Sequence, residues 1–379
     1  MMTTDNRAGV YVHIPYCVRK CNYCDFCSYP IGAGAVPDEY ISALLREASC
    51  YSGLLNEEVS TVYIGGGTPS LLSPSQLVTL LTGLGDVFTL SQDCEITLEA
   101  NPGTVTVDKL RAFRSAGVNR ISMGMQSACE NELKILGRIY SPEEFECAFS
   151  ACREAGFDNI SVDLMYGLPE QTMESLLESA RTACSLSPEH ISAYGLMVEE
   201  GTPFFVNRDS LALPDEDTEA DMYAALCDYL ASMGYEHYEI SNYARDGRYS
   251  RHNLKYWHGT RYIGLGASAY SYFDNKRYGN GRDIAEYLAC PTPRLFSENG
   301  FETIGRDDEA FEYAMLSLRL KWGIDLKLYR RRFGIDFMEG REDKISFYVK
   351  AGLACVEGGR FFLTERGFYI SNNLMADIL

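Results

Sequence analysis

Basic residues are in short supply in this 379-residue chain: 34 Lys and Arg face 53 Asp and Glu, a formal net charge of −19. Extended nucleic-acid binding needs basic surface to neutralise phosphates, so that class is disfavoured. A local basic pocket for a carboxylated ligand, or a local membrane-contacting patch, is compatible with the total. Histidine is scarce, with five residues, and tryptophan scarcer, with two. Long apolar runs are missing as well. No stretch reaches the roughly 18 apolar residues of a spanning helix, and no charged N-terminal segment leads into an apolar one. Neither secretion nor membrane spanning is expected. The thirteen cysteines are an odd number without a disulfide-like pattern. They read as mostly reduced thiols, and the expected location is cytoplasmic. Hydrophobic residues, 46% of the chain, suffice for a full core, and the length suits one large domain plus a smaller one.

Three of the cysteines are grouped. Cys17, Cys21 and Cys24 form a C-x3-C-x2-C array on one short loop. Soft thiolates favour Fe–S clusters and zinc over hard cations. Fully ligated clusters and structural zinc sites usually take four protein ligands, so three would leave one iron of a [4Fe-4S] cube open. The bland alternative, three unrelated buried cysteines, fits poorly with so tight a spacing. The apolar run from Tyr11 to Tyr16 places the array on the loop after a first strand.

Further strands are expected at Thr61–Ile64, Glu95–Glu99, Arg120–Met125, Ile160–Met165 and His190–Leu196, the first being Val10–Ile14. Amphipathic stretches lie between them, around Asp38–Ser52, Pro74–Leu84, Val107–Ala116, Pro142–Ala155 and Thr172–Leu186. Six strands joined by helices make a parallel α/β sheet with right-handed crossovers. Spacing alone does not separate an open sheet from a partial barrel.

Ligands of parallel α/β folds collect at the carboxyl ends of strands, and polar signatures follow the strands here. Gly65-Gly66-Gly67-Thr68-Pro69 comes after the second, where glycines let backbone approach a ligand or simply turn tightly. Glu99 ends the third and could accept from ribose hydroxyls or cap a turn. Gln126 ends the fourth, and Arg138 follows twelve residues later. Asp163 sits in the apolar fifth strand, where burial demands a partner: Arg138 or a ligand.

The cysteine array, with the aromatic Tyr23 before its last member, and the GGGTP run resemble the radical S-adenosylmethionine (SAM) superfamily. That resemblance implies a partial (β/α)6 barrel, with SAM chelating the open iron of a [4Fe-4S] cluster. From Tyr11 to at least Tyr270 the motifs are similar to the branch containing anaerobic coproporphyrinogen III oxidase. By carry-over, Tyr11, Gly66, Gly67, Thr68, Glu99, Gln126, Arg138 and Asp163 would line the SAM region, and Tyr23 would flank the cluster.

Three features separate this chain from the oxidases of that branch. They resemble C-x3-C-x2-C-x-C, whereas Phe26 stands at the extra position here and Cys27 is one residue out of register. Only sixteen residues precede Cys17, where the oxidases have a longer extension that helps enclose the substrate. His252-Asn253-Leu254-Lys255-Tyr256-Trp257 resembles the HNxxYW motif of HemW-type heme chaperones. The resemblance makes His252 and Trp257 candidate heme contacts, against the plainer reading that His252 braces a turn. Tyr140 and Tyr270 stand where histidine is frequent, which raises the weight of His252, His237, His258 and His13; tyrosinate also ligates heme iron.

Beyond about residue 240 the alternation gives way. Pro291–Gly300 reads as a loop, followed by helices at Asp307–Leu320, Asp325–Phe333 and Lys344–Ala351, then a hairpin at Gly358–Thr364 and a closing helix at Glu365–Leu379. The division is thus a radical SAM core over residues 1–240 and a smaller, mostly helical HemN-like domain over 241–379, winged-helix-like in pattern, covering the barrel mouth or docking a partner. The expected function is a heme chaperone that binds [4Fe-4S], SAM and heme and passes heme to acceptor proteins, with membrane contact only through an acceptor. The alternative is oxygen-independent coproporphyrinogen III oxidation or a related radical SAM methylation; catalytic residues are unassigned.

Overall fold

The structure, a computed structural model, describes residues 5–297 and 300–379. Residues 298 and 299, in the expected Pro291–Gly300 loop, lie outside the described residues. Six parallel strands stand side by side in chain order: β1 (Ala8–Ile14), β2 (Val59–Gly66), β3 (Leu90–Ala100), β4 (Arg120–Gln126), β5 (Ile160–Tyr166) and β6 (His190–Gly195). The connecting helices are α1 (Asp38–Ser49), α2 (Pro74–Val87), α3 (Val107–Ser115), α4 (Glu130–Leu136), α5 (Pro142–Glu154) and α6 (Met173–Ser185). Their starts are written locally. Ser73 and Ser141 each close a capping box, with proline at the first turn, and Thr172 does so without proline.

The order of β1 to β6 never reverses. A doubly wound sheet has a switch point where the order turns back; unbroken winding in one direction is the barrel pattern. Period-two alternation then gives each strand two different faces. Val10, Val12 and Ile14 of β1 and Val62 and Ile64 of β2 join one apolar core with Leu44, Leu80 and Leu84 from α1 and α2. The intervening positions turn inward and are polar: Tyr63, Glu99, Ser122, Asp163 and Ser192 line an internal cavity.

The sheet does not stop at residue 240. Tyr262–Leu265 pairs parallel with β1 on its free side, followed outward by antiparallel strands at Tyr270–Phe273, Lys276–Gly279 and Glu302–Thr303. Asn242–Ala244 and Glu236–Glu239 extend the other edge beyond β6. The expected boundary at residue 240 therefore cuts through the sheet. A separate hydrophobic core begins with the Arg306–Ser317 helix, formed by Leu318, Phe337, Phe361 and Leu374 around a three-stranded antiparallel sheet. The expected closing helix is two, Glu365–Tyr369 and Ser371–Ile378.

Among the described residues, this smaller unit lines no part of the cavity. Its Tyr369 hydroxyl donates to the Glu216 carbonyl (3.1 Å), and Arg319 lies 5.8 Å from the Trp257 ring. The Arg251–Trp257 helix that carries Trp257 packs on the starts of β1 and β2, so contact with it falls at the opposite end. Among the described residues, no helix is long and apolar enough to cross a membrane.

Candidate functional site

The loop after β1 holds Cys17, Cys21 and Cys24 against one wall of a cavity of about 470 Å³. Two backbone bonds tie that loop in place, from the Asn22 N–H to the Leu136 carbonyl (3.0 Å) and from the Phe204 N–H to the Asn22 carbonyl (3.0 Å). Glycine is required beside it. A Cβ on Gly67 would come within 2.9 Å of Cys17 Sγ and 2.7 Å of the Tyr16 carbonyl. Thr68 donates to Cys17 Sγ (3.5 Å) and accepts from Asn101 (3.0 Å), linking the glycine turn to both the array and β3.

The donor set fits an Fe–S cube better than a single ion. All three thiols line the same cavity. Three soft thiolates leave one iron of a [4Fe-4S] cube open, whereas a structural zinc site usually takes four protein ligands. Cys27 is no fourth ligand: it is buried outside the cavity, its thiol donating to the Arg282 carbonyl (3.5 Å). Cys17, Cys21 and Cys24 would thus hold the cluster and leave one iron for SAM. Bound together, the two groups supply one-electron cleavage of the SAM sulfonium.

The carried-over residues mostly gather below this loop. Glu99 accepts from the Tyr63 hydroxyl (2.8 Å) and the Gly66 N–H (3.0 Å). Burial pushes its carboxyl up to about 7, against the pull of both donors and with repulsion from Asp163 adding to the rise. Asp163 is also raised by burial, opposed by Ser192 and Ser122; Ser122 donates to it at 3.2 Å. Arg138, the alternative partner expected for Asp163, instead donates to Asn101 (3.2 Å) and the Tyr23 hydroxyl (2.6 Å). Its Nε is buried without a partner. Gln126 adopts a left-handed backbone (φ 60°) and accepts from Tyr140.

Tyr11 behaves differently. It does not line the cavity but hydrogen-bonds His13 Nδ1 (3.0 Å), whose Nε2 meets the Cys27 carbonyl (2.7 Å). The pair fastens β1 to the segment following the cysteines.

His252 and Trp257 are not brought to the cavity. His252 is 1% exposed, with Nδ1 on Thr61 Oγ1 and Nε2 on the Tyr256 hydroxyl, both at 2.8 Å. It closes the floor of the barrel, where Gly9 leaves room for its ring. Trp257 packs in a separate cluster with Tyr238, Tyr249 and Leu320. Of the HNxxYW segment, Asn253 alone reaches the cavity. His237 is buried and stacked on Tyr243 (4.3 Å), while Tyr270 is exposed.

Sequence reading missed part of the lining: Tyr63, Asn101, Arg120 and Ser122, and also His190, Ser192, Tyr194 and Asn253. Counting by twos along a strand would have found most of them, from Gln126 back to Arg120 and along His190, Ser192 and Tyr194. Arg120 is 2% exposed, and among the described residues its guanidinium makes no ion pair or hydrogen bond, with Nε fully buried. Its charge pulls the buried Glu99 and Asp163 toward ionisation.

A one-way barrel, a three-cysteine loop at its mouth and polar strand ends beneath define a radical SAM protein, and residues 11–183 match the Radical SAM superfamily. Residues 304–370 match the HemN C-terminal domain. The chain is 36% identical to the heme chaperone HemW of Lactococcus lactis over 98% of its length and 97% of that protein. It is 34% identical to the Bacillus subtilis heme chaperone HemW, covering 98% and 99%. The structure also resembles the coproporphyrinogen III oxidase HemN of Escherichia coli, with a TM-score of 0.83 at 23% identity over 99% of this chain and 90% of that one. That last likeness concerns the fold alone. The chain belongs to the HemW family.

Proposed function

We propose that this protein binds heme and transfers it to acceptor proteins, using a barrel that carries a SAM-ligated [4Fe-4S] cluster. The observation that carries this reading is identity of more than one third, over nearly the whole length, to a heme chaperone. The cysteine loop supports it, because Phe26 replaces the extra cysteine of the oxidase pattern. The cluster would be held by Cys17, Cys21 and Cys24, and SAM by the Gly66–Thr68 turn with Glu99, Gln126, Arg138 and Asp163. Tyr11 and Tyr23 would support that site, through His13 and Arg138 respectively. We further propose a cytoplasmic location, with membrane contact only through an acceptor. Heme contact by His252 would require the floor helix to leave the barrel, since both ring nitrogens are engaged.

The test is anaerobic incubation of cluster-reconstituted protein with SAM, a reductant and coproporphyrinogen III, with an authentic oxidase run in parallel. No decarboxylated product, together with saturable heme binding and transfer to an apo-acceptor, supports the reading. Loss of two carboxyl groups at a catalytic rate replaces it with the oxidase.

A further inference from the structure

We infer that heme docks on the cluster-bearing loop itself, across the cavity mouth, with its macrocycle against Phe26 and Met197 and its propionates toward Arg19 and Lys20. The inference rests on the heme-binding reading and adds a location to it. Phe26 is 68% exposed and Met197 71%, and both line the mouth of the cavity although they are far apart in sequence. Single exposed apolar residues are common on surfaces; here two from distant segments share one rim. Val206, also exposed, lies on the short Pro203–Val206 helix that the Phe204 N–H pins to the same loop.

The cations complete the match. In a chain of net charge −19, Arg19 and Lys20 are exposed beside this rim, and Arg19 makes no ion pair among the described residues. Lys20 Nζ donates to the Phe26 carbonyl (3.0 Å), which holds charge and ring side by side. Of the two acidic residues on the rim, Asp25 lies within 3.9 Å of Arg282, leaving Glu199. A planar apolar ligand with two carboxylates suits such a surface, because apolar faces bury against aromatic and thioether groups while guanidinium and ammonium pair with carboxylates. The lumen below carries the buried charged groups Glu99, Arg120 and Asp163, which a macrocycle placed there would have to desolvate.

The experiment titrates hemin, and hemin dimethyl ester, into full-length wild-type protein and three variants: Phe26→Ala/Met197→Ala, Arg19→Gln/Lys20→Gln and His252→Ala. Thermal melts report folding. The first pair should weaken hemin about tenfold or more, and the second several-fold with loss of salt dependence. The ester should bind wild type as weakly as hemin binds the Arg19/Lys20 variant, and that variant should not distinguish the two ligands. His252→Ala should keep its Soret band. Unchanged affinity in both double variants, with the Soret band lost in His252→Ala, would overturn the location while leaving heme binding intact. Absence of saturable hemin binding by wild type would overturn both.

Discussion

Replacing Glu99 by Gln should make the protein more stable and a poorer SAM binder at once. The carboxyl lies between the Tyr63 hydroxyl and the Gly66 N–H, and burial lifts it from 4.5 to about 7. A folded-state pKa above the unfolded one means that the folded protein holds the proton more tightly. The associated stability is fully present below pH 4.5 and is lost as pH rises through about 7. The loss amounts to at most about 3 kcal/mol, reduced by whatever water the cavity admits. Glutamine never ionises and escapes it. The Glu99→Gln variant should therefore gain on wild type between pH 5 and 8, by about 1–3 kcal/mol, while SAM affinity falls about 10- to 100-fold for want of a charged acceptor. Unfolding curves at pH 5 and pH 8, with calorimetric SAM titration of reconstituted protein at pH 8, measure both quantities. A stability difference identical at the two pH values, or unchanged SAM affinity, would refute the reasoning.

Two further substitutions probe the mouth and the floor. Gly67→Ala should lower iron content and cluster absorbance after reconstitution, because its Cβ would press on Cys17 Sγ and the Tyr16 carbonyl; Gly85→Ala, which meets nothing within 4 Å, is the control. His252→Ala should cost about 2–4 kcal/mol in unfolding experiments, since it opens a void and strands the Thr61 and Tyr256 hydroxyls. Burial depresses the imidazole to about 3, so its contribution is present above pH 6.5 and lost as pH falls toward 3. Below pH 6.5 wild type should lose stability more steeply than the variant, as melts at pH 5 and 7.5 would show.

What the sequence discloses here follows the range over which its signals act. The cysteine array, the glycine turn and the six core strands announce themselves within a few residues, by spacing or alternation. Barrel winding is different: it depends on which strand pairs with which, and became plain only with the chain-order sheet. Tyr262–Leu265 was missed because it joins β1 across more than two hundred residues. His252 shows the same limit. Its motif suggested a heme contact, with a turn brace as the alternative; its seven-residue helix docks on Gly9, Thr61 and Glu95, whose N–H acceptor and packing roles no local pattern reveals. Arg120, a lone cation opening a strand, had no neighbour in sequence to mark it.

The floor helix also has a kinetic consequence. Arg251 and His252 direct their N–H groups to Glu95, Arg251 pairs with Asp5 and Asp93, and Lys255 donates to the Arg7 carbonyl, so this end of the barrel is bolted shut. The cavity is then closed at this end and opens beside the cysteine loop. If heme lies over that doorway as inferred, arrival would have an order: SAM inside before heme settles, and SAM exchanged only after heme departs. Delivery to an acceptor would then reopen the barrel for its next charge of SAM, making cargo release and cofactor exchange two readings of one clock.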